Sequence, residues 1–211
     1  MRVLLSAACS VASVSAIKHL KSLGVKVIGI DSTSSRTEIG KNFCDEFYNV
    51  PLALTKEYLE ILKSLLAKVG LFIPFIDEEL INISKNINYF EDAEIKKIAM
   101  CNSTTTLLCL DKVRFQEKCE EVKIPIAPLA KKAPCIFKPR YGRGSQGVVI
   151  INDNNQFDYY KQKNGVIQEL MDGDEYTIDA IFESNNLVGY SSRKRVETRG
   201  VSTVGEIIQN S

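Results

Sequence analysis

Apolar positions in the first part of the chain follow two rhythms. Val3–Leu5 and Val25–Ile30 are short unbroken aliphatic runs, the second closed by Asp31, and a helix-length segment ending at Gly24 lies between them. Unbroken runs suit strands buried on both faces, and strand–helix–strand spacing predicts a parallel sheet. Glu46–Val50 predicts a third strand, stopped by Pro51, and Leu71–Ile76 a fourth. Between these, Leu59, Leu62, Leu65 and Leu66 recur at helical spacing within Lys56–Lys68, which Thr55 can cap. Asp77–Ile87 predicts another helix, with carboxylates in its first turn, where the helix dipole is positive. Lys97–Met100 predicts a short fifth strand. The expectation for residues 1–101 is a Rossmann-like α/β domain built on a parallel sheet.

From Asn102 the texture changes. Thr104–Leu110 and Asp111–Val122 read as two helices, and Ile124-Pro125 opens an extended connection. Cys135–Lys138, Val148–Ile151, Val166–Leu170, Glu175–Phe182 and Leu187–Arg193 read as strands, with a small helix at Phe157–Lys161. Turn residues at Asp172-Gly173 and Asn185-Asn186 between such strands predict antiparallel pairing. Residues 102–211 are expected to form an α+β domain, with its central part over 124–183.

Several function classes drop out. The first turn, Ser6-Ala7-Ala8-Cys9-Ser10, has no glycine, whereas a dinucleotide site needs glycines there for backbone to approach a pyrophosphate. Asp31 then reads as a strand-end residue, not a ribose ligand, and a nicotinamide-dependent dehydrogenase is disfavoured. The six cysteines contain no C-x-x-C pair, and His19 is the one histidine, so neither a metal cluster nor a Ser-His-Asp triad is expected. A net charge of +1 carries no nucleic-acid footprint. The small and apolar residues after Met1 fit a strand and helix better than a signal peptide, and no apolar run reaches the roughly 18 residues a membrane span requires. The expectation is a cytoplasmic protein without nucleic-acid or membrane partners.

The richest stretch is Ile136 to Val149. An apolar strand delivers Lys138, and a turn with Gly142, Gly144 and Gly147 follows. Backbone N–H groups of such a turn suit phosphate oxygens, with the lysine adding positive charge. Arg140 and Arg143 add charge, although a wet surface turn would use them equally well. No Gly-Lys-Ser/Thr opens a helix here, so this is not a P-loop. Further on, Gly165 to Thr177 combines an apolar strand, Glu169, a turn and a second acid, Glu175. A strand ending against a purine can read it with backbone groups while a carboxylate takes a ribose hydroxyl; a solvent-facing hairpin rim is the plain alternative.

The full set resembles the ATP-grasp superfamily, in particular its carbamoyl-phosphate-synthase-like and carboxylate–amine ligase branches. It comprises the preceding α/β domain, Asp111-Lys112, the Lys138-Pro139 glycine loop, and Gln168-Glu169 through Asp174-Glu175. The resemblance implies an ATP-grasp domain in which Lys112 and Lys138 contact ATP phosphates, covered by the loop from Tyr141 to Gly147, with Gly142, Gly144 and Ser145 among its residues. It implies that Glu169 and the backbone of Leu170 and Met171 hold adenine and that Glu175 takes the ribose. Arg193, Lys194 and Arg195 match a basic strand facing phosphate, which with Lys138 assigns Arg195 a catalytic role. The implied reaction joins small-molecule carboxylate and amine substrates through an acyl phosphate, and a homodimer is the implied assembly.

One departure stands out. The family continues past the basic strand to carboxylates and a Glu-x-Asn pair that hold Mg2+. No such pair follows Arg195 here, and Glu197 and Glu206 lack the spacing. Metal ligands are therefore expected beyond residue 211, none being assigned within the chain, and the end, Ile207 to Ser211, reads as the start of a helix. The ATP-grasp part is accordingly expected to be incomplete and turnover to be absent. A noncatalytic ATP-binding regulatory module is the alternative reading, and a glycine-rich domain that uses neither ATP nor phosphate is a third.

Overall fold

The computed structural model describes residues 1–32, 38–183, 185–199 and 201–208. It contains two compact units, Met1–Leu110 and Asp111–Ser211.

In the first unit, strands β1 (Arg2–Leu5), β2 (Lys26–Ser32), β3 (Glu46–Val50) and β4 (Leu71–Ile73) form a parallel sheet in the order β3-β2-β1-β4. Successive side chains on a strand point to opposite faces. Leu4, Ile28, Ile30 and Phe72 therefore share one core with Tyr58, Leu59, Leu62, Leu65 and Leu66 of helix α2 (Lys56–Leu66). Leu5 and Val27 enter another core with Ile17 of helix α1 (Val11–Ser22). Burying one leucine contributes about 1.5–3 kcal/mol, so this apolar stripe, more than intrinsic propensity, holds α2 in place. Thr55 caps α2 by accepting from the Tyr58 N–H. β4 stops at Ile73 because Pro74 follows, and helix α3 (Asp77–Lys85) begins shortly after.

The expected fifth strand does not form. Lys97–Met100 meets β4 through a single bridge, Phe72 to Ile98, with Phe72 N–H on the Lys97 carbonyl and Ala99 N–H on the Phe72 carbonyl. The short helix α4 (Asp92–Ile95) runs into that segment on one side. On the other, the Asn102 side chain accepts from Thr105 N–H at the start of helix α5 (Ser103–Leu110), which leaves no length for a ladder. Helix α5 packs against α3 and so continues the first unit past residue 101.

The second unit opens with helix α6 (Lys112–Glu121). Strands β5 (Cys135–Pro139), β6 (Val149–Ile151) and β7 (Gly165–Glu169) form an antiparallel sheet in the order β6-β5-β7. Helix α7 (Asn154–Lys161) lies over it, with Phe157 and Tyr160 packed on Cys135, Phe137 and Ile151. Strands β8 (Tyr176–Glu183), β9 (Asn186–Arg199) and β10 (Val201–Ile208) make another antiparallel sheet. The helix expected from Ile207 is a correction: Ile207 and Ile208 belong to β10, paired with Arg193 and Ser192, while residues 209–211 lie outside the described residues. Val204, Ile207 and Ile208 are β-branched, and β9 gives them partners in Glu197, Arg193 and Ser192. Among the described residues no helix is long and apolar enough to cross a membrane.

Candidate functional site

Every residue singled out for phosphate or base contact lies in the second unit. Lys138 sits near the end of β5, opposite Val166 of β7, with its side chain partly buried. Its Nζ donates to the Gln168 Oε1 at 2.8 Å. Burial pulls the Lys138 pKa below the usual lysine value, Glu175 pushes it up and Lys112 pulls it down again. Lys138 thus feels the charges of Glu175 and Lys112 although the three come from separate segments.

The turn after β5 takes backbone conformations that side chains disfavour. Gly142 (φ 117°), Gly144 (φ 60°) and Gly147 (φ 71°) lie in the positive-φ region, joined by Ser145 (φ 58°). Gly147 is constrained further, since an added Cβ would lie 2.9 Å from the Pro139 Cγ. Only glycine meets both demands at no steric cost.

Asp111 clamps the base of this turn. It is the N-cap of α6, its Oδ1 accepting from Val113 and Arg114 N–H. The same carboxylate accepts from Arg140 Nε and Nη2, the latter at 2.7 Å, and from the Tyr141 hydroxyl at 2.9 Å. Burial pushes the Asp111 pKa up, but the hydrogen bonds from Arg140, Arg114 N–H and Tyr141 outweigh it and hold the group down to about 2. Backbone contacts complete the clamp: Lys112 N–H donates to the Arg140 carbonyl at 3.0 Å, and Lys112 Nζ to the Gly142 carbonyl at 2.7 Å. Sequence reasoning took Asp111 only as half of a motif. Its place just before a helix was the available signal, whereas its hold on Arg140 and Tyr141 is visible only in three dimensions.

Glu169 ends β7, its N–H on the Pro128 carbonyl at 2.9 Å, and the side chains of Leu170 and Met171 beyond it are exposed. Glu175 pairs with Arg195, which also donates its backbone N–H to the Glu175 carbonyl at 2.8 Å. The neighbouring basic residues are held too, Lys194 by Asp174 at 2.6 Å and Arg193 by Asp179 at 3.0 Å. Strand alternation sends Lys194 to the face opposite Arg193 and Arg195, so the three do not converge as one basic cluster. Among the described residues, no group of three or more His, Cys, Asp or Glu could hold a metal ion. None of the six cysteines is joined in a disulfide.

Residues 109–209 match the family model for the ATP-grasp domain, and residues 3–98 match the model for the PylC-like N-terminal domain. Residues 109–209 belong to the ATP-grasp domain family. The chain is 24% identical over 213 residues to the carbamoyl phosphate synthase large chain of Clostridium beijerinckii, a match covering 90% of this chain and 19% of that protein. The corresponding protein of Clostridium botulinum is also 24% identical, with the same coverage. Among solved structures, the L-amino acid ligase of Bacillus licheniformis superposes with a TM-score of 0.72 at 15% identity, over 100% of this chain and 55% of that one. Campylobacter jejuni biotin carboxylase follows with a TM-score of 0.65 at 14% identity, over 95% and 52%. The chain thus spans about a fifth of the curated relatives and about half of these structural ones.

Proposed function

We propose that this chain is the nucleotide-holding part of an ATP-dependent ligase that activates small-molecule carboxylates for attack by an amine. In this reading residues 1–101 are the accompanying α/β domain and 102–211 the ATP-grasp part, of a cytoplasmic protein working as a homodimer. The observation that carries it is the placing of Lys138 at the mouth of a positive-φ glycine turn whose base Asp111 clamps. That donor set fits a polyphosphate. Lys138 supplies an ammonium at the end of a paired strand. Lys112 has three N–H donors, so one can stay on the Gly142 carbonyl while others face an anion. Tyr141, Gly142, Gly144, Ser145 and Gly147 form the cover and keep water from the site.

The other end of the nucleotide falls to β7 and the start of β8. Glu169 and the backbone of Leu170 and Met171 take the adenine, and Glu175, oriented by Arg195, takes a ribose hydroxyl. Arg195 then lies behind Glu175 and offers positive charge towards the transferring phosphoryl group. Charge placed in advance where negative charge develops is the main catalytic resource in such transfers. ATP-grasp proteins use magnesium, and among the described residues no group of three or more His, Cys, Asp or Glu could hold it.

Calorimetry of the whole chain with ATP tests the reading, since a charge-assisted contact is worth about 1.5–3 kcal/mol and Lys138→Ala should weaken ATP binding by roughly tenfold or more. Equal dissociation constants for the two proteins would remove Lys138 from the site. The noncatalytic alternative parts company in a phosphate-release assay on the full-length gene product over candidate carboxylates and amines. Substrate-dependent release supports the ligase, and tight ATP binding without release favours the regulatory module.

A further inference from the structure

Behind Lys138 runs a chain of buried amides that no motif announced. Gln168 is 6% exposed and Gln116, on α6, is 2% exposed. The Gln168 Nε2 donates to the Gln116 Oε1 at 2.7 Å and the Gln116 Nε2 to the Glu120 Oε1 at 2.6 Å, one helical turn on. Both Nε2 atoms also lie 3.4 Å from the Ala127 carbonyl. An amide by itself can face either way, so its orientation follows from its partners. Here the two ends of the chain leave no choice. A carboxylate and a carbonyl only accept, so the Gln116 nitrogen must face Glu120 and Ala127. Its oxygen then faces Gln168, whose nitrogen turns inward and whose oxygen turns out to Lys138. The ammonium at the far end only donates and completes the same direction.

We propose that Gln116 is a positioning residue which, with Glu120, locks the Gln168 amide oxygen towards Lys138 and so holds that ammonium at the end of β5. The relay concerns Lys138 itself, and its worth to nucleotide binding rests on the reading above. Two other charged groups act on Lys138, Glu175 ahead of β8 and Lys112 at the start of α6, and the relay adds a fixed neutral acceptor to that pair. Losing an acceptor that favours the charged amine lowers its pKa.

The test measures Lys138 directly. Competitive labelling of the whole chain with an amine-reactive anhydride, read by mass spectrometry across pH, gives the midpoint at which Lys138 becomes reactive. Glu120 is exposed, so Glu120→Lys leaves the packing intact. It places a charged donor where the acceptor stood, outweighing the longer 3.4 Å contacts to the Ala127 carbonyl, which turns both amides round and sets an NH2 group against Lys138. The midpoint should fall by about half to one pH unit. Adding Gln116→Glu to Glu120→Lys restores an acceptor between the two donors and should return the midpoint to its starting value. An unchanged Lys138 midpoint in the Glu120→Lys variant, at unchanged melting temperature, overturns the proposal, as does a shift that Gln116→Glu does not reverse. ATP calorimetry on the same proteins separates the two claims. A reversible midpoint shift with constant ATP affinity keeps the relay and sinks the nucleotide assignment, whereas parallel changes support both.

Discussion

Asp111 and Glu79 are both carboxylates 2% exposed, yet their neighbours push them in opposite directions. Burial raises each. At Asp111 a guanidinium, two N–H groups and a hydroxyl overcome that and carry it to about 2. Glu79, at the start of α3, receives only the hydroxyls of Ser6 and Tyr58 and nearby N–H groups, and desolvation wins, so its pKa rises. The pH consequences have opposite signs. Asp111 is depressed from an unfolded value of about 3.9, so its contribution is complete above that pH and lost as pH falls towards 2. Glu79 is elevated, so its contribution is complete below the ordinary carboxylate range and is lost as pH rises from there through its folded value. Denaturant unfolding across pH should therefore show that Asp111→Asn removes the acid-side decline it causes. The variant should also cost about 1.5–3 kcal/mol at neutral pH, because Arg140 loses a charged acceptor. Glu79→Gln should flatten the decline above the ordinary carboxylate range. A Glu79→Gln protein with the parent's slope there would mean that the carboxyl is not elevated.

At the scale of elements, the site is a hairpin held at three points. β5 pairs with β6 and β7, and Asp111 ties the turn to the head of α6. The β5–β7 contact is tight where they end. Gly165 faces Pro139 in register, and a Cβ there would lie 2.4 Å from the Lys138 carbonyl and 2.6 Å from the Phe137 ring. Gly165→Ala should therefore push β7 off β5 and destabilise the second unit by about 1–3 kcal/mol, as overpacking does, with loss of ATP affinity in parallel. Chemical denaturation monitored in the second unit decides it, and a neutral substitution would show that the strands have room. The strands themselves were legible, since Cys135 and Phe137 alternate inward along β5, opposite Ile151 and Ile167. The role of Gly165 was not, because a close approach between two strands depends on the register that pairs them.

At the scale of the molecule, the two units use unlike sheets, and the parallel one keeps its first turn closed. The Asp31 carboxylate accepts the Cys9 N–H at 2.9 Å, Ser10 caps α1 by accepting the Ser13 N–H, and Gly40 packs so near that a Cβ would lie 1.6 Å from the Ala8 carbonyl. Side chains and backbone thus fill the space where a pyrophosphate would need glycines. Fluorescence titration with NADH and FAD should show no saturable binding by the chain. Saturable binding that Asp31→Ala abolishes would overturn this.

The amino-acid sequence by itself determined which segments are helix and strand, because burial on one or two faces imposes its period locally. It also supplied the feature on which the phosphate-site proposal rests, a lysine followed by spaced glycines. Its limits appear where an outcome depends on a distant partner. Lys97–Met100 has the residues of a strand, but the turns on either side leave it one bridge. Ile207 and Ile208 suit either state alone, and β9 settles them as strand. Arg193, Lys194 and Arg195 look like one basic cluster in order, yet the pleat sends the middle one to the other face and carboxylates take all three. Gln116 and Gln168 are 52 residues apart and acquire a direction only when folding places them between a group that only accepts and one that only donates. Periodicity is a property of neighbours along the chain, whereas charge pairing, close approach and amide orientation belong to neighbours in space.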